Sequence, residues 1–369
     1  MKLTISRETL LDQLVHVVGA VEKKHTSKIL ENILIQVTDN RLQLVGTDLE
    51  IEMSADLEIQ AESLGQTTAP ARKLYDICKA LPADCFILFE TDDNNRLHIK
   101  GLRSRFELAT LPADDFPLLD DIPIKQEVSI PENSLKSLLE KVSFSMANQD
   151  VRYYLNGLLL EFTGNKILAV STDGHRLAVS EYISEDNNFA EDFKIIVPRK
   201  GILELSRLLD SSSELEVTLQ ISDNHIRVAK DGIRFTSKLI DGKYPDYQAA
   251  IPSNSIHFVE LDREQFRDTL ARVAILSNEK FRGIRLGLKD GQMTLHSNNP
   301  ENESAEEEID INYSGDAFEI GFNVSYLLEA VNHINNDTIV LELSTPDTSA
   351  LLHASDDEQT RYVVMPIRL

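Results

Sequence analysis

Apolar positions recur along this chain in two alternating rhythms, and the alternation repeats three times. Segments opening at Ile5 (ISRETLLDQLVHVVGAV), Ile130 (IPENSLKSLLEKVSFSM) and Leu261 (LDREQFRDTLARVAILS) share an apolar lead, a cap-like residue and apolar positions at helical spacing. In the first, Leu10, Leu14, Val17, Val18 and Val21 fall on one helix face. Ser6 and Asp262 suit N-caps, and Pro131 suits a first helical position. A strand pair follows each helix: Asn32-ILIQV-TDN-RLQLVGTD, Asn156-GLLLEF-TGN-KILAVSTD and Arg282-GIRLGLK-DGQ-MTLHSNN alternate around Asp, Asn and Gly turns. Second helices open at Pro70, Pro198 and Asn323, and a closing β-segment ends each copy (SRFELATLP, IRFTSKLID, TRYVVMPIRL).

The pattern predicts an α+β protein of three like domains, each with two helices and antiparallel strands, over 1–124, 125–253 and 254–369. Linkers are expected around Asp120–Glu127 and Ala249–His257, where prolines and polar residues interrupt the rhythm. Each copy is long enough for its own core, which argues against a solenoid.

Composition then narrows the function. The 369 residues are 42% hydrophobic, and 37 Lys and Arg against 61 Asp and Glu leave a net charge of −24. Such a chain repels nucleic acid and anionic membrane unless its cations are concentrated. Cys78 and Cys85 have no metal or redox spacing, and there is neither an apolar run of spanning length nor a signal-like start. A cytoplasmic protein without membrane association is expected. Taken generously, the six helical stretches hold 19 basic and 15 acidic residues, so the acidity lies elsewhere. That excess is either an ordinary solvated face or, in a curved array, a comparatively positive inner surface.

Enzyme constellations are missing: no phosphate-cradling glycine loop, zinc-binding HExxH or nucleophile elbow occurs, and the nine histidines lack ligand spacing. No catalysis, cofactor or metal is expected. Thr172-Asp-Gly-His-Arg176 is the nearest approach to a catalytic group. Because Gly46-Thr-Asp-Leu-Glu50 matches it in the first copy, Asp173 reads as a turn residue, while His175 and Arg176 are equally open to binding or structure. Charge is also asymmetric between the ends. Arg96, Lys100, Arg103 and Arg105 crowd one stretch beside Phe106 and Leu108, whereas Glu301, Glu303, Glu306, Glu307, Glu308 and Asp310 crowd another. Opposite signs at opposite ends favour head-to-tail association, with Ile275 and Leu276 as an apolar partner surface.

Several blocks are more specific. Gln149-DVRYYLN-Gly157, Ser171-TDGHRL-Ala178, Phe235-TS-Lys238, Ile275-LSNEKFR-Gly283, Gly321-FNVS-Tyr326 and Tyr362-VVMPIR-Leu369 closely resemble the bacterial DNA polymerase III beta subunit, the sliding-clamp family, and the resemblance runs end to end. It implies a homodimeric ring of six clamp domains, helices inside, around double-stranded DNA without sequence specificity. Twelve helices of about 10 Å width would leave an opening of about 28 Å. The resemblance implies DNA-facing roles for Lys24, Arg72, Asn148, Gln149, Tyr153, Tyr154, Arg199, Lys200 and Phe281. It also implies an apolar cleft that takes short linear motifs from the replicative polymerase alpha subunit, the clamp loader, other polymerases and repair proteins. Leu155, Thr172, Gly174, His175, Arg176, Leu177, Pro245, Asn323, Tyr326, Ser349, Val363, Met365, Pro366, Ile367 and Arg368 match it, with Arg176 and Arg368 offering charge-assisted hydrogen bonds. Ala249 and Ala250 depart from a bulkier pair, Asp347 from an apolar residue and Ser304 from an acidic one. A hydrolase built on Asp173 and His175, and an acidic scaffold or DNA mimic, are the competing readings.

Overall fold

The computed structural model describes residues 1–119, 122–185, 187 and 189–368. Asp120 and Asp121, the start of the first expected linker, lie outside the described residues. Six α-helices are present among the described residues: α1 (Arg7–Ala20), α2 (Ala71–Ala80), α3 (Glu132–Ser143), α4 (Arg199–Leu208), α5 (Arg263–Val273) and α6 (Val324–Asn332). Each falls where the helical rhythm predicts one, but all are shorter than the generous stretches. They carry 12 basic and 9 acidic residues, so the excess of cations persists at a smaller size.

Local chemistry sets the helix starts. The Ser6 hydroxyl accepts the Thr9 N–H at 3.1 Å and the Asp262 carboxylate accepts that of Gln265 at 2.7 Å, as expected of N-caps. Pro70, Pro131 and Pro198 each stand one residue before the helix instead of inside it. They are the last residues of strands, paired with Asn32, Glu216 and Gly157, where their missing N–H leaves no helical bond unmade. On α1, Leu10, Leu14, Val17 and Val18 are buried. Gly46 makes room for this helix, because a Cβ there would lie 2.5 Å from the Val17 carbonyl oxygen.

Compactness divides the chain differently from the repeat. One unit comprises Met1–Leu135 with Lys200–Leu239, the other Lys136–Arg199 with Ile240–Leu369. The first unit holds a five-stranded sheet, from Ala61–Ser63 at one edge to Ser104–Ala109 at the other, and an eight-stranded antiparallel sheet. In that larger sheet, strand Ile233–Lys238 pairs directly with Ile51–Glu58, with Phe235 opposite Met53. The second unit holds another eight-stranded sheet, in which Arg176–Ile183 pairs with Asp357–Val364, and a four-stranded sheet edged by Ser304–Asp310. Strands of the central copy thus extend the sheets of its neighbours, because pairing satisfies edge N–H and C=O groups that would otherwise be open.

Candidate peptide cleft and DNA-facing residues

In the second unit the chain brings the turn Thr172–Arg176, the start of α6 and the C-terminal tail together over one apolar floor. Leu155, Leu177 and Val363 lie in a buried cluster with Leu351, Tyr244 and Tyr247. Leu177 and Val363 are cross-strand partners, which fixes both on this floor. Past Val364 the tail leaves the sheet. The Met365 N–H then donates to the His175 carbonyl at 2.9 Å and that of Ile367 to the Gly321 carbonyl at 2.8 Å. Met365 is 47% exposed beside this floor. Asn323 caps α6 by accepting the Ser325 N–H at 2.9 Å, and Tyr326, one turn on, stacks on His175 with ring centroids 6.3 Å apart. Pro245 is exposed next to buried Tyr244, and Ser349 is half-buried before strand Ala350–Ala354.

The turn is built by side chains, with Asp173 at its centre. One carboxylate oxygen of Asp173 accepts the N–H groups of His175 and Arg176 at 2.9 and 3.1 Å, and the other accepts Arg176 Nε at 3.1 Å. Gly174 has φ +88°, a conformation that favours glycine. His175 makes no hydrogen bond to Asp173 through its ring, so these residues form no acid–base pair among the described contacts.

Arg176 is held from several sides. Its Nη1 pairs with Glu329, its Nη2 donates to the Phe144 carbonyl at 3.0 Å, and its guanidinium lies 4.8 Å from the Tyr326 ring centroid and 5.3 Å from that of Phe144. With Nε and both terminal nitrogens each bonded within the chain and its side chain 11% exposed, Arg176 fastens the turn to Glu329 of α6 and to the Phe144 carbonyl. Arg368 is the available cation: its side chain is 96% exposed, with Asp347 at 3.9 Å. Asp347, expected to disturb an apolar subsite, thereby supplies a loose counter-charge at the rim. Ala249 and Ala250 are both exposed.

The loop preceding this turn carries most of the expected DNA-facing groups of the second unit. Asn148 and Gln149 are exposed, Gln149 at φ +58°. Tyr153 is 57% exposed and meets half-buried Tyr154 edge-on at 5.7 Å, while Tyr154 packs against the apolar cluster. Phe281 is 63% exposed, with the Lys280 ammonium 5.3 Å from its ring centroid. Arg199 donates to the Met146 carbonyl at 2.9 Å. In the first unit, Lys24 and Arg72 are exposed, but Lys200 is committed: it pairs with Asp48, whose side chain is 3% exposed, and donates to the Ala20 carbonyl at 3.1 Å. The fixed cation at the C-terminal end of α1 complements the helix dipole.

The residues expected at a subunit boundary lie on or near the edge strands Ser104–Ala109 and Ser304–Asp310 and in the 3-10 turn Ala274–Leu276. Arg96, Arg103 and Arg105 are exposed on or beside edge strand Ser104–Ala109, Phe106 is half-buried, and Arg96 is 3.5 Å from Glu107. Leu108, 8% exposed, packs inward instead of presenting a contact. In the second unit, Ile275 is 76% exposed, Leu276 is half-buried, and Glu301 and Glu303 are exposed. Glu307 is already engaged: Arg272 Nε lies 3.0 Å from its carboxylate and holds that group below the usual range.

Family models for the DNA polymerase III beta subunit match the N-terminal domain over residues 1–120, the central domain over 129–246 and the C-terminal domain over 248–368. The chain belongs to the DNA polymerase III beta subunit family. It is 46% identical to the beta sliding clamp of Pseudomonas aeruginosa and 44% identical to that of Escherichia coli, covering the whole of each chain. A solved structure of the P. aeruginosa clamp bound to griselimycin superposes with a TM-score of 0.95 at 46% identity, and the Caulobacter crescentus beta subunit with 0.94 at 38%, each over the full length of both chains. The three α+β copies are therefore clamp domains, and the chain is a non-catalytic sliding clamp of DNA replication. The hydrolase and acidic-mimic readings fall with this assignment. No helix among the described residues is long and apolar enough to cross a membrane.

Sequence reasoning missed Glu329, Phe144, Asp150 and Arg152, which hold the cleft turn. Asp150 and Arg152 lie within Gln149–Gly157, and opposite charges two residues apart are a sequence signal for a local ion pair. Glu329 gives no local signal.

Proposed function

We propose that this clamp acts as a homodimeric ring on duplex DNA and presents the cleft of its second unit to short apolar motifs of the replicative polymerase, the clamp loader and other replication and repair proteins. The observation that carries the proposal is the tail Met365–Arg368, laid over a buried floor and pinned to His175 and Gly321. An apolar trough rimmed by backbone and one exposed cation suits an extended peptide. The domains are assigned to 1–124, 125–253 and 254–369. Ring closure is assigned to the edge strand Ser104–Ala109 of one copy, with the cations Arg96, Lys100, Arg103 and Arg105 on and beside it, meeting the acidic edge strand Ser304–Asp310 of another. Exposed Lys24, Arg72, Asn148, Gln149, Tyr153 and Phe281 supply weak, sequence-independent contacts to DNA. The cytoplasm, with the replisome, is the assigned compartment. A closed ring holds the polymerase near its template, so that dissociation is followed by local rebinding at high effective concentration.

The test is retention on circular DNA after loading by a clamp loader with ATP. The protein should stay on closed circles and leave once they are linearised, and Arg103→Glu with Arg105→Glu should shorten retention on circles. Equal retention on circles and linear DNA would overturn the ring. Griselimycin, bound by the P. aeruginosa clamp, is assigned to the same cleft here, so it should bind this chain and Tyr326→Ala should weaken that binding; unchanged binding in the variant would overturn the cleft assignment.

A further inference from the structure

One arginine joins the loop of the expected DNA contacts to the cleft turn. Arg152 stands between exposed Val151 and exposed Tyr153. Its Nε and Nη2 grip both oxygens of Asp150 at 3.0 and 2.9 Å, and the same Nη2 donates to the Asp173 carbonyl at 3.0 Å. The guanidinium lies flat against Gly174, where a Cβ would come within 2.9 Å of Nη1 and 3.0 Å of Nη2. The loop below is equally braced: Asp150 N–H donates to the Asn156 side chain at 2.8 Å, and Asn156 Nδ2 returns a bond to the Asp150 carbonyl at 2.8 Å. The fork is strong enough to hold the Asp150 carboxyl down to about 2. From Asp173 the brace runs into His175, Arg176 and, through the His175 carbonyl, Met365.

The Arg152 side chain is nevertheless 46% exposed, and its Nη1 edge makes no hydrogen bond among the described contacts. We infer that Arg152 is a positioning residue shared by two sites. A DNA phosphate taken on its Nη1 edge draws the guanidinium away from the Asp173 carbonyl and loosens the turn under the cleft, so that DNA at the loop and peptide at the cleft weaken one another. Binding free energies require that this effect be reciprocal. The phosphate at that edge also meets the repulsion of Asp150, which favours displacement of the fork over simple addition. This inference rests on the cleft and DNA-contact assignments made above.

Lysine separates the two functions of this side chain. It keeps the charge that attracts phosphate but lacks the planar fork that bridges Asp150 to Asp173. Griselimycin would be titrated into the full-length protein by calorimetry, with and without a saturating 20-bp duplex at low salt. DNA should weaken griselimycin by about fivefold or more in the parent protein, the lower end of typical coupling. In Arg152→Lys the two ligands should bind independently of one another. Arg152→Ala should lose both the coupling and part of the duplex affinity. Independent or mutually favourable binding in the parent, or parental coupling in Arg152→Lys, would overturn the inference. Failure of duplex or griselimycin to bind the parent at all would instead strike the underlying assignments, so the two failures are distinguishable.

Discussion

Replacing Arg176 by alanine should unfasten the cleft wall without unfolding the protein. The substitution removes the charged hydrogen bond to Asp173, whose side chain is 18% exposed, and bonds of this kind contribute about 1.5–3 kcal/mol. It also strips the donor from the Phe144 carbonyl and the cation from the Phe144 and Tyr326 rings, the latter worth about 1 kcal/mol at a partly desolvated site. The Glu329 pair adds little, since that carboxylate is 45% exposed and exposed pairs contribute about 0–1 kcal/mol. A local loss of about 3 kcal/mol corresponds to roughly a hundredfold rise in turn opening. Amide hydrogen exchange reads this directly, because the His175 and Arg176 N–H groups are protected by bonds to Asp173. Both amides should exchange about two decades faster in the variant, while amides of strand Gly283–Lys289 keep their parental rates. Arg176→Lys should fall between, retaining charge without the fork. A change of less than about threefold at His175 and Arg176 would refute the assignment of this guanidinium as the fastener, because it corresponds to well under 1 kcal/mol.

Two further outcomes follow from committed charges in the first unit. Lys200→Ala leaves Asp48 buried without its cation and should cost about 2–3 kcal/mol of stability in denaturant melts, below the range for fully buried pairs because Lys200 is 30% exposed. The salt dependence of DNA retention should be unchanged in that variant; a slope reduced by about one unit would show that Lys200 contacts phosphate. Glu52 is 9% exposed, and burial pushes its carboxyl above 4.5 despite the N–H donated by Leu119. Its folded form holds the proton more tightly than the unfolded chain, so its contribution is most favourable below 4.5 and is lost as pH rises through the folded value. Glu52→Gln should therefore be more stable than the parent at pH 7, with the difference closing toward acid; a variant less stable at pH 7 would contradict this.

The helices and hairpins were readable because each announces itself within one or two turns of chain. Leu10, Leu14, Val17 and Val18 mark a buried stripe, and Ser6 and Asp262 mark starts. At the three prolines the pattern opens each helix one residue too early, since a residue fit for a first turn is equally fit to end a strand. Pairing between copies was not readable: strand Ile233–Lys238 meets Ile51–Glu58 across nearly two hundred residues, and no periodicity records which distant strand a strand will meet. The same holds in the cleft. Leu177, Val363 and Tyr326 were found from blocks that resemble the family. The fate of Arg176 turned on Glu329, 153 residues away, and that of Lys200 on Asp48, 152 residues away. A cation in a sequence looks available until its partner is located.

Because hydrogen-bonded ladders run from one copy into the next, excising any single copy would leave a raw backbone margin eager to zip onto foreign chains. Gene shuffling that trims or transplants one third of this polypeptide would thus yield precipitate sooner than a smaller working module. Triplication, once established, is locked in place by the very bonds that made it stable, and a change in copy number would have to bring a complementary margin with it.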